Sequence, residues 1–295
     1  MKYVVGYSAD ERGKEALALA ISLAKVQGAS LDVVVVLPKT EPFNAAYPPA
    51  PDFDSVLTDQ ANTWLDTALA TIPETVSAQK HVRFSSSTAE GLIEAAAELD
   101  AGLIVIGAAR GGMLSRYSVG SVANALLHAA STPIALAPRG WKADKSISRL
   151  TCAIGTRAGA EALLDVAIDS AARRRLPLRL VSLVAVSPDG AAGIDRREQA
   201  KQHAEAVLAQ AVSSLPEGAQ ATATVGEGNT IEDAVEALDF DPAEIVLIGS
   251  SRLAERHKLF LGVAANKMLR VLPVPIIVVP RDYGRAMPGR SEEQA

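Results

Sequence analysis

Apolar residues recur along this chain in two alternating rhythms. Short β-rich runs, YVVGY (Tyr3 to Tyr7), LDVVVVLP (Leu31 to Pro38), LIVIG (Leu103 to Gly107) and IALA (Ile134 to Ala137), are separated by longer segments whose apolar spacing suits helices. The valines between Leu31 and Pro38 do not alternate with polar residues, which predicts a strand buried on both faces and parallel packing. EALALAISLAKVQG predicts a helix ending on a Gly28 cap. A weaker strand is predicted at about His81 to Ser86, with helices from near Ser55, at Ala89 to Leu99 and at Val119 to Ala130. Lys39 to about Asp54, rich in proline and turn formers, predicts a long loop.

The second half repeats the first. LDAGLIVIGAAR, ending at Arg110, returns as FDPAEIVLIGSSR, ending at Arg252; Gly120 returns as Gly262; TPIALAPR, ending at Arg139, returns as VPIIVVPR, ending at Arg281. One constant offset across strand, loop, helix and strand predicts two copies of one domain. In copy two, strands are predicted at Leu150 to Gly155, Leu178 to Val186, Ala221 to Val225, Ile245 to Gly249 and Ile276 to Val279. Helices fall between them, from about Ala158 to Arg175 and Asp195 to Ser214, then at Ile231 to Leu238 and Val263 to Leu272. Such alternation predicts an α/β protein with two tandem doubly wound parallel-sheet domains of five strands each, at 1–140 and 147–283. The polar stretch Arg139 to Ser146 is the expected joint, and the charged residues 284–295 are an expected disordered tail.

Composition narrows the function classes. A net charge of −5 and 4% aromatic residues give neither a basic footprint nor a stacking platform for nucleic acid. The most apolar stretch, Ala16 to Ala24, lies between Lys14 and Lys25 and is far too short to span a membrane. With the chain entering a strand pattern at once, a cytoplasmic location is expected. The single cysteine, Cys152, lies in an apolar run and reads as a small buried hydrophobe. His81, His128, His203 and His257 are scattered without acid or cysteine partners at ligand spacing, so no metal site of the His/Cys type is expected.

Ligands of doubly wound sheets bind at the carboxyl ends of strands near the reversal of winding. There the chain offers Gly107 at a strand end, Arg110 and Arg116 in the following loop, and Gly120 with Ser121 at a helix start. A helix start supplies unpaired N–H groups and a favourable dipole for phosphate. The run from Ser85 to Thr88 reads as a helix cap at Thr88.

The frame Gly107, Ala108, Ala109, Arg110, nine residues, Gly120, Ser121 resembles the glycine motif of universal stress proteins, here in their tandem two-domain form. VVGYSADERGKEAL at the start and STPIALAPR before the joint resemble the family as well. The resemblance implies a Rossmann-like fold of the adenine-nucleotide α-hydrolase type and a stress-response module that binds ATP or a related adenine nucleotide, with magnesium as a companion ion. Carried over residue by residue, adenine and ribose would lie against Gly6, Tyr7, Ser8, Val36 and Ile106, and phosphates over Gly107, Arg110, Gly120, Ser121 and Val122. Arg110 stands in place of the motif's second glycine. Ser8 stands in place of an aspartate at the end of the first strand, with Asp10 two positions on. Copy two departs further: Arg252 again replaces the glycine, Val263 replaces the hydroxyl residue, and the first turn from Gly155 reads as shortened. At most one nucleotide is therefore expected per chain, in copy one.

Neither a nucleophile elbow nor a Walker loop is present, so a binding or regulatory protein is expected, with slow ATP hydrolysis at most. A nucleotide-free interaction protein is the alternative, its protein partners unnamed by the sequence. PIALAP and PIIVVP carry prolines at their ends, and family topology places the fifth strand outermost; the two are expected to pair as a built-in dimer within the chain.

Overall fold

The computed structural model describes residues 1–39, 53–108, 120–142, 146–155, 160–250, 259–281 and 283. The expected long loop after Lys39, the glycine-rich loop with Arg110 and Arg116, Arg252, and the tail at 284–295 lie outside the described residues. Backbone contacts divide the chain into two units, the second taking the chain from Ile147 on together with Leu127–Pro133.

In chain order the first unit runs β1 (Lys2–Gly6), α1 (Glu11–Gln27), β2 (Ser30–Pro38), α2 (Phe53–Leu69), β3 (Ala78–Ser85), α3 (Thr88–Glu98), β4 (Leu103–Gly107), α4 (Ser121–Ala129), whose last residues from Leu127 group with the second unit, and β5 (Ile134–Ala137). Its strands lie in the order β3-β2-β1-β4-β5, every described pairing being parallel. Winding therefore runs one way from β1 to β3 and the other from β4 to β5, and the reversal falls between β1 and β4. Val33, Val34 and Val35 of β2 are buried, as expected of a strand covered on both faces. Tyr3, Val4, Val5, Leu19, Leu23 and Ile104 are inaccessible to solvent, and each large apolar side chain so buried contributes about 1.5–3 kcal/mol.

Local chemistry sets the helix ends. α1 starts where the Asp10 side chain accepts the Gly13 N–H at 3.1 Å and stops where Gly28, at φ 64°, donates to the Ala24 carbonyl at 2.8 Å. The cap of α3 is Ser87 rather than Thr88: its hydroxyl accepts the Glu90 N–H at 3.2 Å, so the helix begins one residue earlier than expected.

The second unit comprises β6 (Arg149–Ala153), α5 (Ala160–Arg174), β7 (Leu178–Ala185), α6 (Gly190–Ser213), β8 (Ala221–Gly228), α7 (Ile231–Glu236), β9 (Glu244–Gly249), α8 (Val263–Val271) and β10 (Ile276–Val279). Its order is β10-β9-β6-β7-β8, again parallel. β8 runs past its expected end because Gly226 and Gly228 let α7 lie directly on the sheet. A Cβ on Gly226 would be 2.5 Å from the Ala234 carbonyl oxygen, and one on Gly228 would be 2.6 Å from Asp233 Cβ.

At the amino ends of these strands sits a buried ionic cluster. Glu244 has no solvent exposure; its carboxylate takes hydrogen bonds from Arg149, from the Thr151 hydroxyl and from the Asp241 N–H at 3.1 Å, with Arg179 Nη1 3.7 Å away. Arg179 also donates to the Asp239 carbonyl at 2.7 Å and stacks over Phe240. Cys152 is wholly buried, and burial pushes its thiol up to about 12, so it packs as the small hydrophobe expected.

Candidate functional site

Pairing registers bring most of the expected site residues of the first unit to one place. Gly6 pairs with Val34 and Val5 with Val105, so Gly6 to Ser8, Val36, Ile106 and Gly107 all lie at the carboxyl ends of three adjacent strands, β2, β1 and β4. Gly6, Tyr7, Ser8, Val36 and Gly107 are half-buried, while Ile106 is buried. A side chain at position 6 would meet the Leu92 and Ile106 methyl groups at 2.8 and 2.9 Å, so glycine lets α3 pack closely over the end of β1. Gly120 precedes α4 and accepts the Asn124 N–H at 2.8 Å. Ser121 is exposed and Val122 half-buried at the first turn, whose N–H groups have no partners within the helix. α4 follows β4, so its start faces the same carboxyl end of the sheet. Arg110 lies outside the described residues.

The turn after β1 has its own chemistry. Tyr7 donates its N–H to the Val34 carbonyl at 2.9 Å, and burial raises its phenol pKa, with Lys14 opposing. The Ser8 hydroxyl donates to Asp10 Oδ1 at 2.7 Å, and Arg12 Nε donates to Oδ2 at 2.8 Å. Burial pushes the Asp10 pKa up, but Ser8, Arg12 and the Gly13 N–H more than offset it and hold the carboxyl at about 2. A depressed carboxylate contributes stability that is present above its unfolded value near 3.8 and fades as pH falls toward 2.

A metal ion would have to compete with the turn for Asp10. Both Asp10 oxygens are committed within the turn, and the described residues contain no group of three or more His, Cys, Asp or Glu able to hold a metal ion. Asp10 is a helix cap and does not fit the role of a metal ligand.

The glycine at the end of β4 has an explanation inside the protein. A Cβ built on Gly107 would overlap the Arg12 carbonyl oxygen and stand 2.8 Å from its carbon, and one on Gly13 would stand 2.6 Å from the Ser8 nitrogen. The first turn of α1 thus rests directly on the end of β4. The sequence carried a signal for the helix start, an aspartate before an apolar-periodic segment, and none for its approach to β4.

The second unit keeps the frame and changes its content. Val4 pairs with Asp32 and Thr151 with Arg179, so the two halves have equal spacing from first to second strand. The first turn of copy two is not shortened; the missing residues lie further on. In this register Ala153 stands for Gly6, Ile154 for Tyr7, Gly155 for Ser8 and Leu183 for Val36. A Cβ on Gly249, counterpart of Gly107, would meet only the Leu163 side chain at 3.4 Å. Gly262 caps α8 without a side-chain bond, and Val263 is 76% exposed where Ser121 stands in the first unit. Ser250, following β9, latches the segment before α8: its hydroxyl accepts the Phe260 N–H at 2.8 Å and donates to the Phe260 carbonyl at 3.3 Å. Ala108 holds the matching place in copy one, so sequence comparison alone showed no such latch.

Comparison with known proteins agrees with this architecture. The model of the universal stress protein family matches residues 1–138 and 147–280. A universal stress protein of Mycobacterium tuberculosis strain H37Rv is 26% identical over 300 residues, covering 95% of this chain and all of the relative. Among solved structures, a universal stress protein from Archaeoglobus fulgidus aligns with a TM-score of 0.66 at 18% identity, covering 95% of this chain and 98% of its own. A protein of unknown function from Pseudomonas aeruginosa aligns at 0.60 with 16% identity, covering 95% of this chain and 92% of its own. No helix among the described residues is long and apolar enough to cross a membrane. Two consecutive family matches on two units of the same strand order show that the chain belongs to the universal stress protein family.

Proposed function

We propose that the first domain, residues 1–140, binds ATP or a related adenine nucleotide, and that the protein serves as a cytoplasmic stress-response sensor rather than a catalyst. The observation that carries this reading is the set of half-buried residues that register brings together at the carboxyl ends of β2, β1 and β4, on the side of the sheet where α4 starts. Val36 and Ile106 offer an apolar wall to a base, and Gly6 to Ser8 offer backbone groups to its edge and to the ribose. Gly107, Arg110, Gly120, Ser121 and Val122 would receive the phosphates, with the first-turn N–H groups of α4 as donors. Gly120→Val is expected to abolish adenine-nucleotide binding in a titration while leaving the circular dichroism spectrum unchanged. Equal titrations for the variant and the parent would remove the site.

One observation favours a nucleotide-free interaction protein instead. Gly107 is filled by Arg12 and Asp10 is spent on its own turn, so two features expected to serve a ligand serve the protein. If the parent protein binds no nucleotide, that reading replaces the first; turnover of ATP that disappears in Gly120→Val would instead mark a slow ATPase.

The domain limits, with 147–283 as the second domain, and the pairing of the fifth strands belong to the same proposal. β5 and β10 each end the strand order of their own unit, and both are apolar. Ile277→Asp would place an unpaired carboxylate at a position now 9% exposed, and is expected to loosen the halves or cause aggregation. Unchanged compactness in small-angle scattering and an unchanged melting temperature would leave the two domains independent.

A further inference from the structure

We propose that β8 is a self-pairing edge through which two copies of this chain associate around a two-fold axis. β8 ends the strand order of the second unit, and β7 is the one described strand it pairs with. Leu178 donates to the Gln220 carbonyl at 2.9 Å and Val186 to the Gly228 carbonyl at 3.1 Å, so the even-numbered residues of β8 direct their backbone groups to β7. A residue in a strand sends its N–H and C=O to the same side, and alternate residues send theirs to opposite sides. Ala221, Ala223, Val225 and Glu227 therefore present their backbone groups outward. Thr222 and Ala223 are exposed. A groove of about 460 Å³ between Lys201 and Leu208 of α6 and Ala223 and Val225 of β8 shows that the helix does not close over this edge.

The side chains say which strand fits. An antiparallel copy centred on Thr224 pairs Ala221 with Glu227 and Ala223 with Val225, and reciprocally, so every outward backbone group of the strand finds a partner. Thr224 then faces Thr224 of the second copy, a favourable cross-strand pair, and no like charges stand opposite each other. Glu227 is already neutralised within its own chain, by Lys201 at 2.9 Å and Arg197 at 3.6 Å. The two-fold arrangement closes on itself instead of propagating. The outer edge of the first unit is built differently. β3 carries Lys80 and Arg83 at its centre, held by Asp66 and Glu98 at 2.6 Å each, and charged centres of this kind protect an edge against pairing. On β8 such protection is missing: its sequence ATATVGEG has no basic residue and no proline.

Sedimentation equilibrium of the full chain tests the proposal. The parent protein is expected to show a reversible monomer–dimer equilibrium. Thr224→Lys, which places two ammonium groups face to face, is expected to weaken it by at least about tenfold with the circular dichroism unchanged. Mixing Thr224→Lys with Thr224→Glu is expected to restore a heterodimer, which a merely misfolded variant does not do. Val82→Pro on the outward side of β3 should leave the dimer intact. A parent protein that stays monomeric to millimolar concentration, a dimer indifferent to Thr224→Lys, or a failure of the mixed variants to associate would overturn the proposal.

Discussion

Replacing Glu244 by alanine is expected to lower the stability of the second domain by about 3–5 kcal/mol, the cost of leaving a buried cationic partner without its anion. Glu244 has no solvent exposure, and Arg179 beside it is only 6% exposed. Burial already pulls the Arg179 pKa down, with Glu244 as the largest opposing influence, so removing the carboxylate leaves a guanidinium with one backbone acceptor, the Phe240 ring and the weaker pull of Asp239. Arg149, Thr151 and the Asp241 N–H lose their acceptor in the same step. Hydrogen exchange read peptide by peptide should show lost protection over 149–153 and 244–249. A loss of less than about 0.5 kcal/mol, the level typical of surface changes, would show that the cluster does not hold these strands together.

The second large effect separates two glycines that the sequence presents as equivalents. Gly107→Ala should destabilise the protein by about 1–3 kcal/mol, because the added methyl group overlaps the Arg12 backbone, which belongs to a capped helix and has little room to move. Gly249→Ala should change stability by no more than about 0.5 kcal/mol, because its methyl group would rest against the Leu163 side chain at ordinary contact distance. Denaturant titrations of the pair check this directly. Equal costs at both positions would mean that the Arg12 backbone is not what demands glycine at the end of β4.

Much of the fold was legible because it rests on patterns local in the chain. The uninterrupted valines of β2 and the Gly28 cap each depend on a few neighbouring residues, and each led to the right element. What could not be read depends on residues far apart in sequence. That Gly107 lies against Arg12 is a fact about crossover packing between β4 and α1, invisible to a motif that explains every glycine by a phosphate. Asp10 looked like a displaced metal ligand because its type is right for one. Only its three hydrogen-bond partners reveal a cap. In copy two, GTRAGAEAL aligned on its Glu-Ala-Leu is one residue shorter than SADERGKEAL, whereas strand register keeps Thr151 and Arg179 as far apart as Val4 and Asp32. At the candidate site the resemblance named residues that strand register places at three adjacent strand ends and at one helix start, and the sequence could not say how much of their open backbone the protein itself uses.

The central claim is that one domain of the two holds an adenine nucleotide, and calorimetric titration of the full chain with ATP, alongside Gly120→Val and its counterpart Gly262→Val, tests it most directly. One nucleotide per chain is expected, lost in Gly120→Val and retained in Gly262→Val. Two equivalent nucleotides per chain, or binding that survives Gly120→Val and fails in Gly262→Val, would contradict it.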